Sequence, residues 1–261
     1  MTFIFKKCIM EYMKKYAHIK SFEIKTREAD FKDELKASSV LSFMEEVAGS
    51  SAEELGFGYK HVRPRGYTFM VTNVVFRINK QMKAGETVRV KTWPTKPSYV
   101  VFGREYEFLS EKEEVLLSAS SRWCLIDVST GKVAQSKVID NQDYSTYNTD
   151  KALEVQAWKI PTFSIGEGEK RFTITIANSE YDHNLHVNNT RYADYCLNCY
   201  SISELQDKTL YEFAISYVRQ CKEGETLNFY RKKCEDCDLV QGYNERGEIV
   251  VQARIVFRGD E

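Results

Sequence analysis

Apolar residues recur at helical spacing in two separate stretches of the chain. From Leu35 to Leu55 (LKASSVLSFMEEVAGSSAEEL) they are Val40, Met44, Val47, Ala48 and Leu55. From Leu185 to Leu205 (LHVNNTRYADYCLNCYSISEL) they are Tyr192, Tyr195, Cys196, Cys199 and Ile202. The spacing predicts two helices of about five turns each. Ser38 or Ser39 would cap the first, and Asn188 or Asn189 the second. Around them the pattern switches to a period of two. Phe172, Ile174 and Ile176 share one face and Thr173 and Thr175 the other. Val251, Ala253, Ile255 and Phe257 repeat that alternation after a turn at Asn244-Glu245-Arg246-Gly247.

The two helical stretches align without gaps at a shift of 150 (185 minus 35). A second pair, Phe76–Thr87 and Ile215–Thr226, aligns at a shift of 139 (215 minus 76) and shares Lys-x-Gly-Glu-Thr, which reads as one turn used twice. Two matches in the same order indicate an internal repeat. Each half then reads as a strand, a long helix and several antiparallel strands. A lone helix can bury its apolar stripe only against the sheet. The expected class is α+β: a sheet wrapped around a helix, built twice, with halves at 17–145 and 171–261 and a polar linker at 146–170.

Composition narrows the function classes. With 37 basic and 38 acidic residues among 261, nothing pulls the chain toward nucleic acid. The apolar runs are too short for a membrane span. Met1–Ala17 carries Lys6, Lys7, Lys14 and Lys15 around an interrupted apolar patch without a cleavage signal, so it does not read as a signal peptide, and Met10 or Met13 are alternative starts. The seven cysteines are scattered and odd in number, which fits reduced thiols in the cytoplasm. Cys234 and Cys237 form a single CxxC without the further ligands that a zinc site needs. Neither cofactor nor metal is expected, and assembly as a homodimer stays open.

The chemistry concentrates in Tyr181-Asp182-His183-Asn184-Leu185-His186-Val187-Asn188-Asn189, directly before the second helix. In an extended segment alternate residues point to one side, so Asp182, Asn184 and His186 would converge. They would do so beside N–H groups, near Val187 and Asn188, that a starting helix leaves unpaired. A carboxylate, an amide and an imidazole facing amide donors suit carbonyl chemistry. His183 would face the other way. At a shift of 150 the first half offers Lys32, Glu34 and Lys36 instead, which implies one site per chain.

The run Asp182-x-Asn184-x-His186-Val187-Asn188-Asn189 resembles the signature of the acyl-ACP thioesterases of plants and bacteria. Arg122-Trp123-Cys124-Leu125-Ile126-Asp127 with Thr130-Gly131 is similar to that family's first-half strand and turn. The resemblance extends from about Phe22 to Phe257. It implies a tandem (double) hotdog fold and hydrolysis of the thioester between a fatty acyl chain and acyl carrier protein. It places Asp, Asn and His of the second hotdog in catalysis and the acyl pocket in the first. The family's plant members add a Glu-Cys pair, matched here by Gln220 and Cys221. That makes Gln220 a site candidate, although an amide cannot accept a proton as a base. Asp182 would act as general base or as nucleophile, Asn184 would position water or carbonyl, and His186 would orient Asp182 or assist the leaving thiolate. Cys221, opposite Met82 in the repeat, reads as packing. Lys80, Lys83, Arg219, Lys222 and Arg231-Lys232-Lys233 are candidates for docking the acidic carrier protein. An acyl-CoA thioesterase, a non-catalytic acyl-thioester sensor and a hotdog dehydratase are the competing readings.

Overall fold

Two strands, Tyr67–Ile78 (β2) and Lys208–Tyr217 (β8), determine how the halves meet. Both are rich in β-branched and aromatic residues. They pair antiparallel, with Val74 opposite Ile215 and Phe76 opposite Phe213. The two phenylalanine rings stack at 5.4 Å and neither is exposed. Burying such a ring is worth about 1.5–3 kcal/mol, so the seam between the halves is itself core. The structure, a computed structural model, describes residues 15–139, 147–182 and 185–259.

The first half continues β2 outward through Val115–Asp127 (β5), Phe102–Leu109 (β4), Thr87–Pro94 (β3) and His18–Glu23 (β1). A short strand, Val133–Ala134 (β6), pairs with β5. The second half continues β8 through Ile249–Gly259 (β11), Asp238–Tyr243 (β10), Thr226–Lys233 (β9) and Glu169–Thr175 (β7). The two halves therefore have the same strand order, joined into one sheet. Its inner face wraps two helices, Ala37–Glu54 (α1) and Asn189–Leu197 (α2), which share one hydrophobic core with it. This is the α+β, twice-built architecture that the sequence pattern predicts. The turn Lys-x-Gly-Glu-Thr recurs as expected: Gly85 and Gly224 both have positive φ, and the N–H groups of Ile24 and Ile176 donate to Glu86 and Glu225 at 2.9 Å each.

The helices depart from expectation in two ways. Neither Ser38 nor Ser39 caps α1; Lys36 holds that position without a side-chain bond. The start is set instead by tertiary contacts: Leu35 N–H donates to Met82 O (2.8 Å) and Lys36 N–H to Glu28 O (3.0 Å). The second helix is not five turns long. Asn188 caps it, accepting from Thr190 N–H at 2.9 Å, but it ends at Leu197 and a separate turn spans Ile202–Leu205. Asn198, Cys199, Tyr200 and Ser201 are mediocre helix formers. Ser201 then opens a capping box with Glu204, which starts a new helix rather than prolonging the old one.

These starts also correct the repeat register to 152 (188 minus 36). In it the buried Val40, Leu41, Phe43, Met44, Val47 and Ala48 match the buried Tyr192, Ala193, Tyr195, Cys196, Cys199 and Tyr200. From residue 147 the polar stretch between the halves forms a strap on the sheet. Leu153, Ile160 and Phe163 pack on Val75, Ala214 and Leu239 of the outer sheet face, and Gln241 holds Phe163 by its N–H and carbonyl at 2.9 Å each.

Candidate active site

The segment before α2 is a tight turn rather than an extended strand. Asp182 N–H donates to His186 O (2.8 Å), Leu185 N–H to Asp182 O (3.1 Å), and His186 N–H to Asp182 Oδ1 (3.2 Å). Leu185 sits at φ 60° to close it, a conformation that costs a residue with a Cβ about 1–2 kcal/mol. Asp182 and His186 meet because the chain reverses between them. Asn184, a predicted site residue, and His183 lie outside the described residues.

The first half contains the same turn. Asp30 N–H donates to Glu34 O (2.7 Å), Glu34 N–H donates to Asp30 Oδ1 (3.0 Å), and Asp33 has φ 66°. At the corrected register Asp30 therefore corresponds to Asp182, Lys32 to Asn184 and Glu34 to His186. The carboxylate that the shift of 150 made unique to the second half is present in both. What differs is what surrounds it.

Asp182 and His186 line a cavity of about 500 Å³, together with Val187, Asn189 and Gln220. From there the cavity runs along α1 into the first half. Ala48, Gly49 and Ala52 form that side of the helix, and a Cβ added to Gly49 would meet nothing within 4 Å. Phe57, Phe69, Phe102 and Ile139 line its apolar part. The void exists because α1 carries small side chains on this face while its other inward face is filled by Phe43, Met44 and Val47. Arg104 of β4 forms part of the wall; buried, it donates to Ser51 Oγ (2.9 Å) and Thr92 Oγ1 (3.3 Å), and burial lowers its pKa.

Of the pair of amides expected at the start of α2, one is taken within the fold. Asn188 N–H is taken by Glu180 O (2.8 Å) and Thr190 N–H by the Asn188 side chain. Val187 N–H and Asn189 N–H have no partner among the described residues, and both residues line the cavity. Gln220 is exposed at the cavity edge, its amide donating to Met70 Sδ at 3.6 Å. Its repeat mate Gln81 donates to Leu210 O at 3.0 Å, so both glutamines reach across to the seam strand of the opposite half. Cys221 is buried, accepts from Tyr192 OH at 3.2 Å, and burial pushes its thiol up to about 11. A buried thiol raised in this way is a poor nucleophile, which fits a packing position. Arg231, expected on a basic surface, lies in the interior, paired with Glu204 at 2.6 Å. Lys80, Arg219 and Lys232 have acidic partners in Glu114, Glu248 and Glu167.

Glu45 escaped the sequence pattern. It flanks the apolar stripe of α1, where an acidic residue ordinarily reads as solvent-facing. Here it lines the cavity, its Oε1 3.5 Å from Asn189 Nδ2. Burial pushes its carboxyl up to about 7; the nearby Asp182 charge adds to that and the Asn189 amide opposes it. Among the described residues no group of three or more His, Cys, Asp or Glu is placed to hold a metal ion, and no helix is long and apolar enough to cross a membrane.

This fold is the double hotdog. The structure superposes on an acyl-ACP thioesterase from Bacteroides thetaiotaomicron with a TM-score of 0.85, at 21% identity, covering 95% of this chain and 99% of that one. A 12:0-ACP thioesterase from Umbellularia californica gives 0.84 at 17% identity, with 94% and 98% covered. The acyl-ACP thioesterase N-terminal domain matches residues 15–141 and the C-terminal domain residues 167–259. The chain belongs to the acyl-ACP thioesterase family. It is 22% identical to a chloroplastic acyl-[acyl-carrier-protein] hydrolase of Cuphea viscosissima over 217 residues, 79% of this chain and 52% of that protein. A chloroplastic palmitoyl-acyl carrier protein thioesterase of Cuphea hookeriana is 24% identical over 187 residues, 69% and 44%. The chain thus spans about half the length of the curated relatives it matches.

Proposed function

We propose that this chain hydrolyses fatty acyl thioesters of acyl carrier protein, releasing free fatty acid. The observation that carries the reading is the single cavity joining Asp182 and His186 to an apolar channel along α1. A thioester head could sit at the turn while its chain lies against Ala48, Gly49 and Ala52. Asn189 N–H, at the positive end of α2, would stabilise the developing oxyanion. Asp182 would be the central carboxylate, acting on water or on the carbonyl itself, since a thiolate leaves without strong acid assistance. His186 would orient Asp182, Gln220 would hold the channel edge by hydrogen bonding, and the family resemblance adds Asn184. The division of labour would follow the halves, with the channel in 17–145, the turn in 171–261 and 146–170 as the strap between them. The cytoplasm suits this chemistry and the six unpaired cysteines among the described residues.

The test is release of fatty acid from acyl-ACPs of graded chain length, with the matching acyl-CoAs alongside. Turnover on the carrier protein well above that on CoA is expected. Comparable rates would make the chain a general acyl thioesterase, and tight binding without product would make it a sensor.

A second expectation concerns chain length. Ala52 lies seven residues beyond Glu45, about 10 Å along the helix. Ala52→Phe should close the far channel and shift the preferred acyl chain downward. Each methylene that no longer fits would cost about 1–3 kcal/mol in kcat/KM. Unchanged chain preference would place the acyl group elsewhere.

A further inference from the structure

Two carboxylates line the cavity among the described residues, and they sit in different settings. Asp182 is fixed by the turn, its Oδ1 accepting from His186 N–H. Glu45 comes from the opposite half of the chain, on α1, and faces the start of α2. At the corrected repeat register its counterpart on α2 is Leu197. The carboxylate is therefore not a requirement of that helix position; the first half's counterpart at the start of α1 is Asp194 of α2, bonded to Ser38 beside Lys36. Glu45 is enclosed by protein except toward the cavity. The groups that interact with it are Asp182 from the turn, Asn189 from α2, Tyr217 from β8 and Tyr106 from β4. Tyr217 OH is held by Asn189 O at 3.2 Å, and Tyr106 OH lies 3.2 Å from Ser121 Oγ. Within this set Asn189 is the one side-chain hydrogen-bond donor to Glu45, and no cation forms an ion pair with it among the described residues.

We propose that Glu45 is a catalytic residue, the general base for the hydrolytic water, which leaves Asp182 as the nucleophile. The proposal rests on the thioesterase reading above. Asp182 attacks the thioester carbon; the new O–C bond forms, the C–S bond breaks, and the electron pair leaves on sulfur as thiolate. Water then attacks the acyl carbon of the resulting anhydride. Its proton passes to the Glu45 carboxylate, its oxygen stays with the fatty acid, and the Asp182 carboxylate is expelled. The departed thiolate takes a proton from solvent, and Glu45 finally returns its own proton to solvent. Paired carboxylates with separated environments divide such roles elsewhere in catalysis. Burial supports the assignment, because a carboxyl that titrates at about 7 is matched to proton transfer near neutrality.

The sign of the pH effect follows. Glu45 must be ionised to accept the proton, so fatty acid release falls as pH drops through about 7, to about a tenth of its plateau one unit lower. Full-length wild type, Glu45→Gln and the control Glu46→Gln should be compared on the best acyl-ACP from pH 5 to 9. Gln preserves shape and the Asn189 contact, and thermal melting checks that the variant is folded. Glu45→Gln is expected to lose about 100-fold in kcat, to lose the acidic limb, and to release one equivalent of thiol ahead of fatty acid. The exposed Glu46, which pairs with Lys20, should show none of these changes when altered. A Glu45→Gln enzyme at full rate, or a slowed one with its acidic limb intact, would overturn the assignment. For a variant too unstable to assay, infrared titration of the carboxyl stretch in 13C-glutamate-labelled wild type decides: the absence of any glutamate band titrating near pH 7 overturns it. Wild type inactive on every thioester would instead defeat the thioesterase reading itself.

Discussion

Asp182→Ala is expected to lose on the order of 10⁴-fold in turnover, while Asp30→Ala keeps full activity. The pair is informative because the two carboxylates do the same structural work. Each closes a reversal by accepting the backbone N–H four residues on, from His186 at 3.2 Å in one half and from Glu34 at 3.0 Å in the other. Asp30 also accepts from Lys32 N–H at 2.8 Å. Removing either should cost about 1 kcal/mol per lost bond, so both variants should shift their urea midpoints by similar, modest amounts. Only Asp182 lines the cavity. Any difference in kcat therefore reports its chemistry, with the fold held as a common background. If the two variants lose activity equally, Asp182 is a turn residue and the reaction centre lies elsewhere.

Much of this architecture was legible because it rests on short-range chemistry. The helical stripe of α1, the alternation of β7 and β11 and the glycine-dependent turn recurring at Gly85 and Gly224 are fixed by residue type and spacing. The misreadings have physical causes. A gapless comparison misplaced the repeat by two residues because both helix starts are set by backbone bonds from Lys36 and Asn188 to the distant Glu28 and Glu180. The alternation argument brought Asp182 and His186 together for the wrong reason. Leu185 adopts a left-handed backbone that nothing about leucine suggests, and the turn it makes does what an extended strand was expected to do. Glu45 was invisible for a third reason. Its environment is made by the other half of the chain, and no local pattern records which side of α1 will face a void.

Glu204→Ala is expected to destabilise the fold by about 3–5 kcal/mol, the usual cost of stranding a buried charge. Glu204 sits on the turn that restarts the chain after α2. Its carboxylate receives Ser201 N–H at 2.9 Å, Arg171 Nη2 at 2.5 Å and Arg231 Nη2 at 2.6 Å. The Arg231 side chain is 2% exposed. It lies 4.4 Å from the centre of the Tyr200 ring, and its Nη1 is already without a partner. Alanine would leave that guanidinium buried with only the ring for company. The melting temperature should fall by about 10 °C for a chain of this size. The same contacts make the effect depend on pH. The Ser201 N–H first, and then Arg231, hold the Glu204 carboxyl down at about 2, against an ordinary 4.5. A depressed folded-state pKa contributes stability that is fully present above the unfolded value and is lost as pH falls toward the folded one. Wild type should therefore lose its advantage over Glu204→Ala between about pH 4.5 and 2, and keep it undiminished above pH 5. A variant that melts within a degree or two of wild type at neutral pH would mean that Arg231 relaxes to solvent once released. The break after α2 would then be a property of Asn198–Ser201 alone, and the position of α2 at the cavity would owe nothing to this anchor.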